Sequence, residues 1–198
     1  MAIMLPEGPA AQNTIAATIT ELRHHGRAGV LGGAGPIHAA PPLGVYVLDL
    51  KTLIDKSIKE GARQVGWRYL LKTPDLSVAD ATETPDKNTT WKFSSVSHGP
   101  AAEKLDAAST LAGAEFGGSP TSYQPRILEI PALGITALWL HASDQDYFIP
   151  YLGAEGEMKA PIVEQDFLKN LRERAVQRLQ KNTGPSGYPS ARKLRVTN

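Results

Sequence analysis

The sequence contains no cysteine. That absence excludes disulfide scaffolds, cysteine-ligated zinc and iron–sulfur centres, and thiol nucleophiles. It also has almost no net charge: 21 Lys and Arg against 20 Asp and Glu leave +1, so no whole-molecule field points to a partner. A long hydrophobic run is missing as well. The nearest thing to one, residues 28–48, is free of Asp, Glu, Lys and Arg, but holds five glycines and three prolines. Gly32-Gly33-Ala34-Gly35-Pro36 and Pro41-Pro42 would break the internally bonded helix that a membrane span needs. The start, Met1 to Glu7, shows neither a basic segment nor an apolar one after it, so no secretory signal is expected and a cytoplasmic setting is the default.

Familiar chemical motifs are missing too. Gly29 to His38 is glycine-rich, yet His38 stands where a dinucleotide loop needs its third glycine, and Ala39-Ala40-Pro41-Pro42 follows instead of a helix. No Gly-Lys-Ser/Thr is present. Gly117-Gly118-Ser119-Pro120-Thr121 lacks the closing glycine of a nucleophile elbow. Ser97 and His98 are chain neighbours and face opposite ways in a strand. Glu21 with His24 and His25 offers one Glu/His pair at helical spacing, but a di-metal carboxylate site needs that pair twice. Asn88-Thr89-Thr90 matches a glycosylation sequon by chance spacing.

Periodicity supplies the architecture. Asn13 to His25 reads as a helix, with Ile15, Ile19 and Leu22 at helical spacing and Gly26 as its stop. A Gly/Pro-rich loop spans 26–44, and Val45 to Leu48 is a short strand. Asp49 then caps a helix through Glu60. Residues 65–72 alternate, with Trp67, Tyr69 and Leu71 on one side. Thr73 to Thr90 is polar and reads as a long acidic loop. Trp91 to Ser97 resumes a strand, and a helix with Leu105, Ala108 and Leu111 follows near Pro100.

Arg126–Ile130, Ile135–His141 and Tyr147–Ile149 are three strand-like runs joined by short turns, which implies an antiparallel meander. The middle run is apolar on both faces and belongs at the centre of a sheet. Pro161 to Lys181 is an amphipathic helix with Leu168, Leu171, Ala175 and Leu179 in its apolar stripe. No internal repeat is visible. The fold expected is α+β: a curved, mainly antiparallel sheet with helices on one face and a long amphipathic C-terminal helix. The expected organisation is an N-terminal helix and Gly/Pro-rich loop over 1–44, one α+β domain over 45–181, and a flexible basic tail over 182–198.

The most ligand-like cluster is His141-Ala142-Ser143-Asp144-Gln145-Asp146. His141, Asp144 and Asp146 combine an imidazole and two carboxylates, a donor set for a divalent metal. Aspartates in a hairpin turn also satisfy the turn's own amides, and no cofactor is required. Glu129 falls on the side of Ile127, either as a desolvated acid/base or as an ion-pair partner of Arg68 or Lys72.

Charge carries the strongest signal once the chain is divided. The last thirty residues hold Lys169, Arg172, Arg174, Arg178, Lys181, Arg192, Lys193 and Arg195 against Glu173 alone, a charge of +7, and the preceding 168 residues carry −6. A basic helix edge can dock on the molecule's own acidic body, meet an acidic protein partner, or join two copies of the chain. Nucleic acid is disfavoured, because the cations are scattered, lack interleaved aromatics and accompany no recognition motif. The function expected is a non-catalytic interaction or assembly module that uses the acidic body and Arg172, Arg174, Arg178, Lys181, Arg192, Lys193 and Arg195. Its partner would be an acidic protein or a second copy, with no membrane involved. The alternative is a metal-dependent enzyme or small-molecule binder with a site near the 129–146 meander.

Overall fold

A computed structural model describes residues 12–24, 36–73, 78–85, 91–153 and 160–182. The first half runs through α1 (Gln12–His24), β1 (His38–Ala39), β2 (Leu43–Val47), α2 (Leu50–Asp55), α3 (Ile58–Gly61), β3 (Arg63–Lys72), β4 (Val78–Pro85), β5 (Trp91–His98) and α4 (Pro100–Phe116). The second half follows as β6 (Gln124–Ile130), a 3-10 turn (Pro131–Leu133), β7 (Ile135–His141), β8 (Tyr147–Leu152), β9 (Ile162–Val163) and α5 (Glu164–Asn182). All nine strands among the described residues join one sheet in the order β5-β4-β3-β2-β6-β7-β8-β9, with β1 paired to β3. Every pairing is antiparallel except β2 with β6. The α+β class, the mainly antiparallel sheet and the long C-terminal helix are all present.

Local chemistry explains the element ends. Asp49 caps α2, its Oδ1 accepting from the Thr52 N–H at 2.9 Å and its Oδ2 from the Thr52 hydroxyl at 2.8 Å. These bonds hold the Asp49 carboxyl below its ordinary pKa. The helix expected through Glu60 is interrupted after Asp55, because Ser57 caps a second short helix in a capping box with Glu60. Gly134, at a φ of 65°, closes the turn between β6 and β7. α5 begins at Glu164 rather than Pro161, since Ile162 and Val163 pair with β8 first.

The polar segment expected as a loop over 73–90 contains β4, which pairs with β3 on one side and β5 on the other. Polar composition hid it. Val78, Thr82 and Thr84 suit extended backbone, and ladder bonds on both sides hold the strand without a hydrophobic signature.

Helices cover both faces of the sheet instead of gathering on one. Leu138 and Leu140 of β7 pack in the cluster that includes Leu105, Ala108 and Ala112 of α4. The alternate residues Ala137 and Trp139 pack with Leu53 of α2, Ile58 of α3, and Phe167, Leu168 and Leu171 of α5. A strand apolar on both sides needs two covers. Ile15 and Ile19 of α1 form a third cluster with Tyr69 and Leu71 of β3.

The connectivity repeats. β2 to β5 form a meander that runs directly into α4, and β6 to β9 form another that runs directly into α5. The two meanders meet at the parallel β2–β6 pair, and their helices lie on opposite faces. This duplication of topology has no counterpart in the sequence.

Candidate functional site

The β6–β7 turn fixes which side chains meet. Ile130 lies opposite Ile135, so counting back places Arg126 opposite Trp139 and Gln124 opposite His141, all four on the α5 face. The chain then turns through Ser143 and Asp144 and returns at Asp146, whose side chain is only 5% exposed.

Asp146 organises this corner. Its Oδ2 accepts from the Trp139 indole N–H at 2.9 Å, and its Oδ1 accepts from the Ala142 N–H at 2.9 Å. His141 Nδ1 lies 3.0 Å from Oδ1 and 3.2 Å from Oδ2. A carboxylate accepts and does not donate, so Nδ1 carries the proton and Nε2 is turned away from the pair. His141 and Asp146 are therefore brought together, as a hydrogen-bonded turn. Asp144 is exposed and bonds to neither. Among the described residues, no three His, Asp or Glu side chains are placed to share a metal ion.

Arg126 completes the corner. Its guanidinium carbon sits 4.8 Å from the centroid of the Trp139 ring system and 5.0 Å from that of Tyr46. Tyr46 reaches it by folding its ring over Gly44, where a Cβ would stand 3.1 Å from Tyr46 Cε2. Burial pushes the Arg126 guanidinium below its ordinary pKa, while Tyr46 and Asp146 act in the opposite sense. Arg126, Gln124 and Tyr46 carry no motif that singles them out in the sequence. A signal for the first two was present, because the turn length between β6 and β7 dictates that register.

Glu129 lies on the other face. It bonds Arg68 of β3 at 2.9 Å, as one of its two expected pairings had it. Lys72 pairs with Asp106 of α4 at 2.7 Å. Glu129 and His141 thus occupy opposite faces and opposite ends of the β6–β7 pair, and do not share a pocket.

The basic residues of α5 divide. Arg172 is engaged within the molecule, its guanidinium donating to the carbonyls of Leu53 and Lys56, each at 3.1 Å. Glu164 accepts from the Ile58 N–H at 3.2 Å, which ties the start of α5 to α3. Arg174 and Arg178 line a cleft of about 680 Å³ between α5 and residues 131–134, together with Asn170, Glu173 and Gln177. Arg178 is exposed, and Lys181 stands in the last turn of α5. Arg192, Lys193 and Arg195, with the tail from 183 onward, lie outside the described residues.

No helix among the described residues is long and apolar enough to cross a membrane. Compared with protein-family models, with curated proteins and with solved structures, the chain matches none.

Proposed function

We propose that this protein is a non-catalytic interaction module that binds an acidic, extended segment of a partner in the cleft between α5 and the 131–134 turn. The cleft carries the reading. It presents two arginines on successive turns, flanked by the amides of Asn170 and Gln177. Guanidinium forks suit carboxylates, and side-chain amides can bond an extended main chain on both donor and acceptor sides. Pro131, Ala132 and Leu133 supply an apolar opposite wall. The excess of positive charge after residue 168, against an acidic remainder, supports the same direction of recognition. A second copy of the chain, offering its acidic body, is a partner of this kind. The proposal retains the cytoplasmic setting expected from sequence.

The test uses the full chain and its R174E/R178E variant. A labelled glutamate-rich peptide is titrated by fluorescence anisotropy at low and high salt, beside single-stranded RNA of matched charge, and self-association is followed by sedimentation. Expected are peptide binding or self-association that weakens with salt and is lost on charge reversal. Binding that survives the reversal, preference for RNA, or neither interaction at low salt would overturn the reading.

A further inference from the structure

A guanidinium can grip a pair of oxygens by either of two edges. In Arg126 the Nε/Nη2 edge is taken, since both groups donate to Gln124 Oε1, at 3.1 and 2.6 Å. Nη1 makes no hydrogen bond among the described residues, and Nη2 spends only one of its two N–H groups on Gln124, so the Nη1/Nη2 end keeps a donor on each nitrogen. This cation is half-buried against two rings, where water screens it less than on an open surface. Asp146 supplies nearby negative charge, but its oxygens already accept from Trp139 and Ala142 and meet His141 Nδ1. Gln124, the one side-chain acceptor of the Arg126 guanidinium among the described residues, is neutral.

His141, in the next same-face pair of the β6–β7 ladder, is in the same state of readiness. Asp146 orients the ring through Nδ1, the arrangement by which a buried carboxylate fixes an imidazole for a task at its other nitrogen. Nε2 has no hydrogen-bond partner among the described residues, and the side chain is 17% exposed. The guanidinium and the imidazole abut the same indole, that of Trp139, with the His141 ring centroid 5.4 Å from it. Rigid aromatic packing holds one group, and a buried carboxylate holds the other.

We propose that Arg126 and His141 form a binding site for an oxyanion, the carboxylate or phosphate group of a small molecule, on the α5 face at the end of the sheet where β6 begins. The free guanidinium end grips two oxygens, and His141 Nε2 bonds a third polar atom of the ligand. Tyr46 and Trp139 fix the plane of the guanidinium. The site is separate from the α5 cleft, and the proposal does not rest on the function proposed for that cleft.

Inorganic phosphate and acetate are titrated into the full chain at constant ionic strength made up with chloride, read by calorimetry and by tryptophan emission. Saturable binding of at least one is expected, and the preferred anion identifies a phosphorylated or a carboxylate ligand. R126Q should weaken binding about tenfold or more, the worth of a lost charge-assisted pair. R126K, which keeps the charge and loses the fork, should weaken it several-fold, and H141Q should weaken it less. Binding that is lost in R174Q/R178Q and kept in R126Q would place the anion in the α5 cleft and overturn the proposal. No saturable binding, or a folded R126K variant that binds as tightly as the parent, overturns the proposal. If R126Q does not fold, the R126K comparison decides alone.

Discussion

The two halves of the sheet share a connectivity and differ in what fills the space beneath their helices. α5 lays Phe167, Leu168, Leu171 and Ala175 on the sheet, where Trp139, Phe148 and Phe167 stack in sequence with centroid separations of 5.9 and 4.6 Å. α4 turns Ala102, Leu105, Ala108 and Ala112 inward. Alanines do not reach as far as phenylalanines, and a pocket of about 330 Å³, open to solvent on one side, lies between α4 and the strands, over Leu43, Leu70, Pro125, Leu138 and Leu140. The Lys72–Asp106 ion pair stands at its edge, and the Ser109 and Thr110 hydroxyls bond back to carbonyls of their own helix. One topology therefore supports a filled face and an underfilled one. Side-chain volume, rather than strand order, decides which.

The largest effect that tests this contrast belongs on the filled face. Phe148→Ala should cost about 3–5 kcal/mol in urea unfolding, and a cost below about 2 kcal/mol would mean that α5 packs no more tightly than α4. Asp146→Ala should follow at about 2–3 kcal/mol, because it strands the buried Trp139 N–H and Ala142 N–H without an acceptor. A matched pair of enlargements reads the contrast directly. Ala175→Leu should destabilise by about 1–3 kcal/mol, whereas Ala112→Leu, which fills space already present, should stay within about 1 kcal/mol of the parent in either direction. Equal costs at the two sites would erase the distinction.

The smallest effect concerns Asp49, the exposed counterpart of Asp146 in the first half. Its folded pKa is depressed, so its contribution to stability is complete above the ordinary value of 3.8 and is lost as pH falls below it. Asp49→Asn should therefore remove a small stabilisation that is present near neutrality and leave stability unchanged in strong acid, so that the acid limb flattens below about pH 5. An unchanged acid limb would show that the cap bonds do not persist in solution.

The same contrast governs how far sequence reasoning reached. Strands β6, β7 and β8 read as β-rich runs joined by short turns, so their existence, order and pairing were legible. β4 was not, because Val78-Ala79-Asp80-Ala81-Thr82-Glu83-Thr84-Pro85 has no apolar periodicity and takes its place through ladders to β3 and β5. The parallel β2–β6 pair joins residues far apart in the chain, such as Gly44 and Arg126, and leaves no local trace. At the site, Asp146 and His141 stood out through turn chemistry. Arg126 did not, since a cation beside buried aromatics in three dimensions looks in one dimension like any solvated strand residue. The prolines of β6 and β8 were no obstacle in the end. The β2 ladder starts after Pro125, and β9 pairs with β8 before Pro150, so neither missing N–H was needed.

That parallel seam also has a kinetic consequence. Every other strand pairing joins consecutive strands, or in the case of β1 with β3 strands separated only by β2 and two short helices, so closing it restricts a shorter loop. The β2–β6 pairing must close a loop of most of the first half, at the largest entropic cost of any in the sheet. It cannot be skipped, because α4 packs on β8 and α2 on α5, which leaves each half dependent on the other for cover. The two meanders are thus local structures awaiting a common late step, and the seam is where the folding of one half becomes conditional on the folding of the other.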